Sequence, residues 1–189
     1  HGATAVCAAL LARQQSGTGD HIDLALLDTA IGALGNMAMT YLATGEVPTR
    51  AGNSHFDAIP TDLFRTQTKS IYLAVSSNRL FRQFCVDVLD RPDVPDDPRF
   101  AGDIERREHR AALKALIEDI LLTQPATYWL ARASHLPAGQ VRTLDKALAS
   151  DEVRARHMVQ TIVEDDGSEK QLLGSNFKFA DTPLQPAKQ

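Results

Sequence analysis

The 189-residue sequence is poor in cysteine, lacks long apolar runs and has no excess of basic residues. No apolar run approaches the roughly 18 residues that a membrane-spanning helix needs. The net charge is −4, so there is no electrostatic reason to expect nucleic acid or an anionic membrane as a partner. We therefore expect a protein with no nucleic-acid partner and no membrane partner.

The two cysteines, Cys7 and Cys85, both lie in apolar helical patterns. We expect two buried free thiols rather than a disulfide, which fits a reducing cytoplasm. No signal peptide is visible and the sequence does not begin with methionine. Because His1 leads directly into a helical pattern, we expect the chain to be a piece of a longer protein.

The sequence also lacks the usual signatures of catalysis. No two histidines are spaced i, i+4, and the two cysteines are far apart, so no metal site is predicted. There is no G-x-S-x-G nucleophile motif. The aspartates within 91–98 alternate with prolines, which favours solvated turns over a metal site. Composition and spacing thus predict a soluble α/β domain without naming a reaction.

The stretch from Thr18 to Asp28 organises the first part of the chain. Apolar periodicity predicts a well-covered helix over 3–15 before it, and alternation over 22–26 predicts a short strand within it. Asp28 is the expected N-cap of a helix over 29–42, and Thr44-Gly45 is expected to end it. Gly32 and Gly35 inside that helix suggest close packing against another backbone.

A connector over 46–60, rich in Pro, Gly and Asn, then predicts a domain boundary. Strands are expected at 63–64 and 71–75, and antiparallel strands at 159–163 and 171–177. Helices are predicted after an Asn78 cap, after Asp103, near Pro125 after a Thr123 cap, and over 144–149 and 153–158. The charged run 105–110 is interpreted as the solvated start of the helix that extends to about residue 122.

The part of the connector from Thr49 to His55 combines a glycine, an amide, a hydroxyl and an imidazole. Such a loop can place backbone N–H groups close to a ligand oxyanion. The alternative is a plain interdomain linker. Spacing alone favours the linker.

Several stretches, in order along the chain, resemble class III CoA-transferases of the CaiB/BaiF or formyl-CoA transferase type. They are Thr18-Gly-Asp-His-Ile-Asp-Leu-Ala-Leu-Leu-Asp28, Tyr41-Leu-Ala-Thr-Gly45, Arg50-Ala-Gly-Asn53 with His55, Asp97-Pro-Arg-Phe100, Leu136-Pro-Ala-Gly139, Asp151-Glu-Val-Arg-Ala-Arg-His-Met-Val159, and Lys178 before Thr182-Pro183. The resemblance covers nearly the whole chain and matches the C-terminal half of the family.

The resemblance implies an α/β fold with a Rossmann-like large domain, a small α/β domain and an interlaced homodimer. Mapped onto this chain, residues 1–45 belong to the large domain and 46–56 form the connector. Residues 57–140 form the small domain, and 141–189 return to the large domain.

The resemblance also implies a mechanism. In this family an aspartate attacks an acyl-CoA thioester, and CoA then passes through an enzyme thioester to a small carboxylic acid. Gly2 matches the glycine of the segment that carries this aspartate, which places the nucleophile about three residues upstream of His1, counted along that motif. No catalytic residue is therefore expected in this chain. The CoA thioester is a substrate, and no bound cofactor is expected.

The substrate-binding residues that the resemblance implies are Gly52, Asn53, Ser54 and His55, where the family has a substrate-covering loop. Phe56, Thr61 and Ser76-Ser77 depart from common family residues, which bears on the acyl substrate. Two alternatives stay open at this point: an acyl-CoA racemase of the same fold, and a non-catalytic truncated chain that folds or dimerises. The residues upstream of His1 discriminate among the three.

Overall fold

A computed structural model describes residues 1–182 of the chain. The chain divides into two compact units, His1–Gly52 and Asn53–Gln189. Helices and antiparallel sheet are both present, so the predicted α/β class is confirmed. Pro183, the last residue of the family resemblance, lies outside the described residues.

The first unit consists of three helices: α1 (Gly2–Ser16), α2 (Leu26–Ala33) and α3 (Asn36–Thr44). Gly17 ends α1 and Gly45 ends α3, with φ of 74° and 76° respectively. These left-handed C-caps favour glycine because a Cβ strains this conformation. The helix predicted over 3–15 and the helix end at Gly45 are confirmed.

Two predictions in this unit are wrong. Residues 22–25 form no strand, because within residues 1–182 no other segment pairs with them. The helix predicted over 29–42 is split at Gly35, whose φ is 52°, and α2 begins at Leu26 with Ala25 rather than Asp28 as N-cap. A Cβ built at Gly32 would meet nothing within 4 Å, so the expected close backbone contact is not made there.

The large apolar side chains of the first unit are exposed. Helix α1 buries none of its residues, and Leu26 at the start of α2 is 90% exposed. The prediction that α1 is covered on most sides is therefore wrong for this chain. Cys7 is a free but exposed thiol rather than a buried one.

The second unit is built on a three-stranded antiparallel sheet: β1 (Thr61–Phe64), β2 (Ile71–Ala74) and β3 (Ala138–Gln140), in the order β1-β2-β3. In the register, Ile71 of the central strand lies opposite Phe64 of β1 and Gln140 of β3. The strands predicted at 63–64 and 71–75 are confirmed. A separate hairpin pairs β4 (Val159–Val163) with β5 (Glu169–Leu173). The first strand is as predicted, whereas the second begins two residues and ends four residues before the predicted bounds 171–177.

The second unit also contains helices and shorter helical turns. They are α4 (Asn78–Gln83), a π-helical turn (Phe84–Val88), a 3₁₀ turn (Val94–Asp96), α5 (Asp103–Glu108), α6 (Arg110–Leu121), α7 (Ala126–Arg132), α8 (Leu144–Leu148) and α9 (Asp151–Ala155). Ser77 rather than Asn78 caps α4, through its hydroxyl and the Leu80 N–H. The N-cap of α7 is Pro125, not Thr123.

The buried core of the chain lies within the second unit, between the sheet and helices α4, α6 and α7. Its largest members include Phe64, Leu73, Phe81, Phe84, Leu113, Ile117 and Leu121. Trp129 also belongs to this core, and its indole N–H donates to the Leu121 carbonyl at 2.8 Å. Cys85 is buried in this core, as predicted, and burial raises the pKa of its thiol to about 12.

The Pro-rich stretch 91–98 contains a short 3₁₀ turn rather than only irregular loop. Its aspartates do not converge. Asp93 pairs with Arg91 at 2.6 Å, Asp96 with Arg82 at 2.5 Å and Asp97 with Arg99 at 2.7 Å. The Arg99 guanidinium, through its hydrogen bonds, lowers the pKa of Asp97 to about 2.

A buried carboxylate links β1 to α6. Glu118, with a side chain 11% exposed, accepts from the Arg65 backbone N–H at 3.0 Å and from its guanidinium Nη2 at 2.9 Å. Burial acts to raise the pKa of Glu118, but the hydrogen bonds from Arg65 outweigh it, and the pKa lies below its ordinary value.

We predict that Glu118→Gln lowers the free energy of unfolding by about 1–2 kcal/mol at pH 7. A carboxyl group with a lowered folded-state pKa stabilises the fold above its unfolded-state pKa of about 4.3. The difference between wild type and variant should therefore shrink as the pH falls below about 4, which denaturant unfolding at pH 7 and pH 3 measures. The exposed neighbour Asp119 provides a control through Asp119→Asn. An equal loss at both pH values would contradict this role of the charge.

Candidate functional site

The four residues predicted to bind substrate lie on both sides of the division between the two units. Gly52 ends the first unit, and Asn53 begins the second. Gly52 has a φ of 64°, and a Cβ built on it would meet nothing within 4 Å. Glycine is thus favoured at this position by backbone conformation, not by crowding within the chain.

The side chains of this segment differ in how firmly they are held. Asn53 is exposed, while Ser54 is half-buried and its hydroxyl donates to the His55 carbonyl at 3.4 Å. The His55 backbone N–H donates to the Thr61 carbonyl at 2.8 Å, which attaches the segment to the start of β1. The end of the connector is therefore ordered against the sheet.

The His55 ring is fixed by the main chain that follows it. Its Nδ1 accepts from the Ala58 N–H at 2.8 Å and from the Asp57 N–H at 3.1 Å. An Nδ1 that accepts two hydrogen bonds carries no proton, so the proton of the neutral ring is on Nε2. The ring also stacks on Phe56 with centroids 4.6 Å apart. This arrangement presents one N–H donor with a defined direction.

Three arginines from α5 and α6 bind the main chain and carboxylate that follow His55. Arg110 donates to the Phe56 carbonyl at 2.9 Å, and Arg107 pairs with Asp57 at 2.8 Å. Arg106 donates to the Ile59 carbonyl at 2.9 Å. Carbonyl oxygens bound by guanidinium groups form charge-assisted hydrogen bonds, which are stronger than neutral ones.

Arg106 is fully buried, which contradicts the prediction that the run 105–110 is a solvated helix start. Besides Ile59, its guanidinium donates to the carbonyls of Phe100 and Ser76, at 3.0 and 2.8 Å, and to the side chains of Asn78 and Asp103. It lies over the Phe81 ring, 4.8 Å from the centroid. Burial lowers the pKa of Arg106, with Asp103 opposing that effect.

A cleft of about 610 Å³ lies elsewhere in the second unit, between the end of β3 and helices α8 and α9. Four cationic side chains line it: Lys69, Arg142, Lys146 and Arg154. Both arginines are paired, Arg142 with Glu152 at 3.0 Å and Arg154 with Asp151 at 3.1 Å. Arg142 lowers the pKa of Glu152 to about 2 through its hydrogen bonds. The two lysines therefore give the cleft a net positive charge, which suits an anionic group.

Across the described residues, no three His, Cys, Asp or Glu side chains come together as a metal site. In the same part of the chain, every helix is too short or too polar to cross a bilayer. The buried Cys85, with its raised pKa, is protonated at neutral pH and unsuited to nucleophilic attack. The described residues therefore offer a ligand hydrogen-bond donors, cationic side chains and the fixed imidazole of His55.

Comparison with known proteins connects these features to a family. The model of CoA-transferase family III matches residues 1–189. The chain is 34% identical over 156 residues to the acetyl-CoA:oxalate CoA-transferase of Acetobacter aceti, an alignment that covers 82% of this chain and 40% of that protein. It is 29% identical over 184 residues to the succinate–glutarate CoA-transferase of Agrobacterium fabrum, covering 96% of this chain and 46% of the relative.

Solved structures agree with the sequence matches. The crystal structure of Rv3272 from Mycobacterium tuberculosis superposes with a TM-score of 0.80 at 26% identity, over 96% of this chain and 47% of that one. A CaiB/BaiF family protein from Brucella suis gives a TM-score of 0.70 at 32% identity, with the same two coverages. The chain thus spans less than half the length of each of these relatives, and it belongs to CoA-transferase family III.

Proposed function

We propose that this chain is part of an acyl-CoA:carboxylate CoA-transferase and that Gly52–His55 covers the acyl group in its active site. The observation that carries the proposal is the family match over residues 1–189, together with relatives named as CoA-transferases for oxalate and for succinate and glutarate. Acyl-CoA and a small carboxylic acid are the proposed substrates, with the CoA thioester as substrate rather than bound cofactor.

The proposed reaction proceeds through an aspartate supplied from outside this chain. Its carboxylate attacks the thioester carbonyl, forms a mixed anhydride and releases the CoA thiolate. The thiolate then attacks the aspartyl carbonyl, which gives an enzyme–CoA thioester and frees the first carboxylate. The acceptor carboxylate repeats the two steps in reverse and leaves as the new acyl-CoA. Each step conserves atoms and needs no added oxidant or reductant.

In the proposed domain arrangement, residues 1–45 and 141–189 belong to a large Rossmann-like domain and residues 57–140 form a small domain. The connector, residues 46–56, joins the two. We further propose an interlaced homodimer, located in the cytoplasm. The sheet formed by β1, β2 and β3 supports the small-domain part, because all three strands fall within 57–140.

Water must be kept from the acyl-enzyme, because a mixed anhydride or an enzyme thioester hydrolyses when solvent reaches it. The ordered segment around His55 suits this task. Its backbone is attached to β1 through Thr61, and its imidazole presents a single fixed donor. Asn53, exposed beside it, has an amide that can donate to a developing oxyanion.

We predict that Gly52→Val lowers CoA transfer in the complete protein and raises the ratio of acyl-CoA hydrolysis to transfer. Valine strains the left-handed backbone of Gly52 and adds bulk where the segment is to approach substrate. Gly167→Val, at a hairpin glycine with a φ of 81°, imposes the same backbone strain away from the segment and serves as control. The two rates and the melting temperature are measured for each variant.

Asn53→Ala should lower turnover, while any change in melting temperature should be too small to explain that loss. The reason is that loss of an oxyanion donor raises the activation free energy by on the order of 2.7–4 kcal/mol. Asn176→Ala, at another exposed asparagine, is the matched control. If the segment is only a linker, Gly52→Val and Asn53→Ala should both leave the transfer and hydrolysis rates near those of the wild type. Absence of transfer by the wild-type protein with any acyl-CoA and carboxylate pair would instead overturn the proposed function itself.

A further inference from the structure

The connector is not a free linker at its C-terminal end. Four of the five residues from His55 to Ile59 are bound by groups that follow this stretch in the chain: His55 by Thr61, Phe56 by Arg110, Asp57 by Arg107 and Ile59 by Arg106. Arg106 and Arg107 lie in the last turn of α5, and Arg110 is the first residue of α6. A helix surface therefore determines the course of this segment.

The contacts to Arg110 and Arg107 differ in strength. The Arg107–Asp57 pair is exposed, with side chains 50% and 57% accessible, and such pairs contribute little. Arg110 is half-buried and donates to a peptide carbonyl, which cannot move without the chain it belongs to. Of these two arginine contacts, that of Arg110 with Phe56 thus restrains the backbone more.

This restraint extends to the imidazole. The Phe56 carbonyl and the Asp57 N–H belong to one peptide group, and that N–H donates to Nδ1 of His55. Polarisation by a guanidinium at the carbonyl strengthens donation by the N–H at the other end of the same peptide. Arg110, the 56–57 peptide and the His55 ring thus form one hydrogen-bonded series. Within residues 1–182, no protein group accepts a hydrogen bond from Nε2 of His55.

We propose that Arg110 is a positioning residue for His55: through the 56–57 peptide it orients the imidazole so that Nε2–H donates to an oxygen of the bound acyl or carboxylate group. This rests on the proposed CoA-transferase function. Arginine suits the role because its charge is permanent and its planar donors hold a fixed direction. His55 in turn acts on the substrate oxygen, where negative charge develops when the carbonyl is attacked.

The test compares Arg110→Gln, Arg110→Lys, His55→Ala and the double variant Arg110→Gln/His55→Ala in the complete protein. Transfer kcat and KM, the hydrolysis rate and the melting temperature are measured. Arg82→Gln, which breaks the exposed pair with Asp96, is the matched control and should leave transfer unchanged. We expect Arg110→Gln to lower kcat about tenfold, because small misplacement of a donor has a large effect on rate.

Arg110→Lys should recover part of the lost kcat. In the His55→Ala background, Arg110→Gln should reduce kcat less than twofold further, since residues that act through one another are not additive. Equal effects of Arg110→Gln with and without His55, or a loss of kcat that follows the melting temperature, would overturn the positioning role while leaving the CoA-transferase function intact. Absence of transfer in the wild-type protein would overturn the function instead.

Discussion

Arg106→Met is expected to lower the free energy of unfolding of the chain by about 3–5 kcal/mol, the range seen when one partner of a buried charged network is removed. Arg106 is fully buried and donates to the carbonyls of Ile59, Phe100 and Ser76. Methionine fills much of the same volume but leaves three carbonyls without their donor. Each buried acceptor that loses its partner destabilises the fold.

Denaturant unfolding measures this loss, and Arg82→Met at the exposed pair with Asp96 provides the control. The control should change the free energy of unfolding by no more than about 1 kcal/mol, because exposed ion pairs contribute little. Arg106→Lys should recover only part of the stability, since an ammonium group has three donors and no planar fork. A change at Arg106 as small as that at Arg82 would contradict its role as the central buried donor.

Residues 1–189 alone are expected to catalyse no CoA transfer, whereas the complete protein should transfer CoA. The reason is chemical: the proposed aspartate nucleophile lies outside this chain, and within the described residues the buried thiol of Cys85 is protonated and unsuited to replace it. Removal of a covalent nucleophile removes the route by which the transfer is divided into easier steps.

The purified chain is first shown to be folded by protection of Cys85 from a thiol reagent, which should modify this residue only after denaturation. Acyl-CoA products are then quantified by mass spectrometry for several acyl-CoA and carboxylate pairs. Robust turnover by residues 1–189 would show that a catalytic residue inside this chain has been overlooked.

Local patterns were sufficient to predict those elements that depend mainly on their own residues. The first helix and its glycine cap follow from apolar periodicity and from the conformational freedom of Gly17. The strands around Phe64 and Ile71 follow from β-branched and aromatic content between turn residues. The positions of these elements needed no knowledge of distant contacts.

Predictions that required a partner were wrong. Alternating residues from Ile22 to Leu26 suggested a strand, but a strand forms only where another segment supplies hydrogen bonds, and none among residues 1–182 does so. Local sequence also could not show that Gly35 interrupts a helix, because glycine tolerates both helical and left-handed backbone.

The candidate site was only partly accessible to sequence reasoning. Composition and resemblance identify the segment ending at His55, but the charge pattern of 105–110 predicts a solvated helix start and not the arginines that hold this segment. A signal is present in the spacing: in the single helix predicted there, Arg106, Leu113 and Ile117 fall on one face, although the structure divides that helix into α5 and α6. Charged residues are rarely buried, and only the carbonyls gathered from distant segments make Arg106 favourable there.

The central claim is that this chain is part of an enzyme that moves CoA between carboxylic acids. The most direct test incubates the complete protein in D₂O with succinyl-CoA or acetyl-CoA and an unlabelled dicarboxylate such as oxalate or glutarate. Mass spectrometry then follows the CoA thioesters and any deuterium at the α-carbon. We predict a new CoA thioester of the added dicarboxylate, without deuterium in either acyl group; deuterium at the α-carbon with no exchange of CoA between acids would contradict the account.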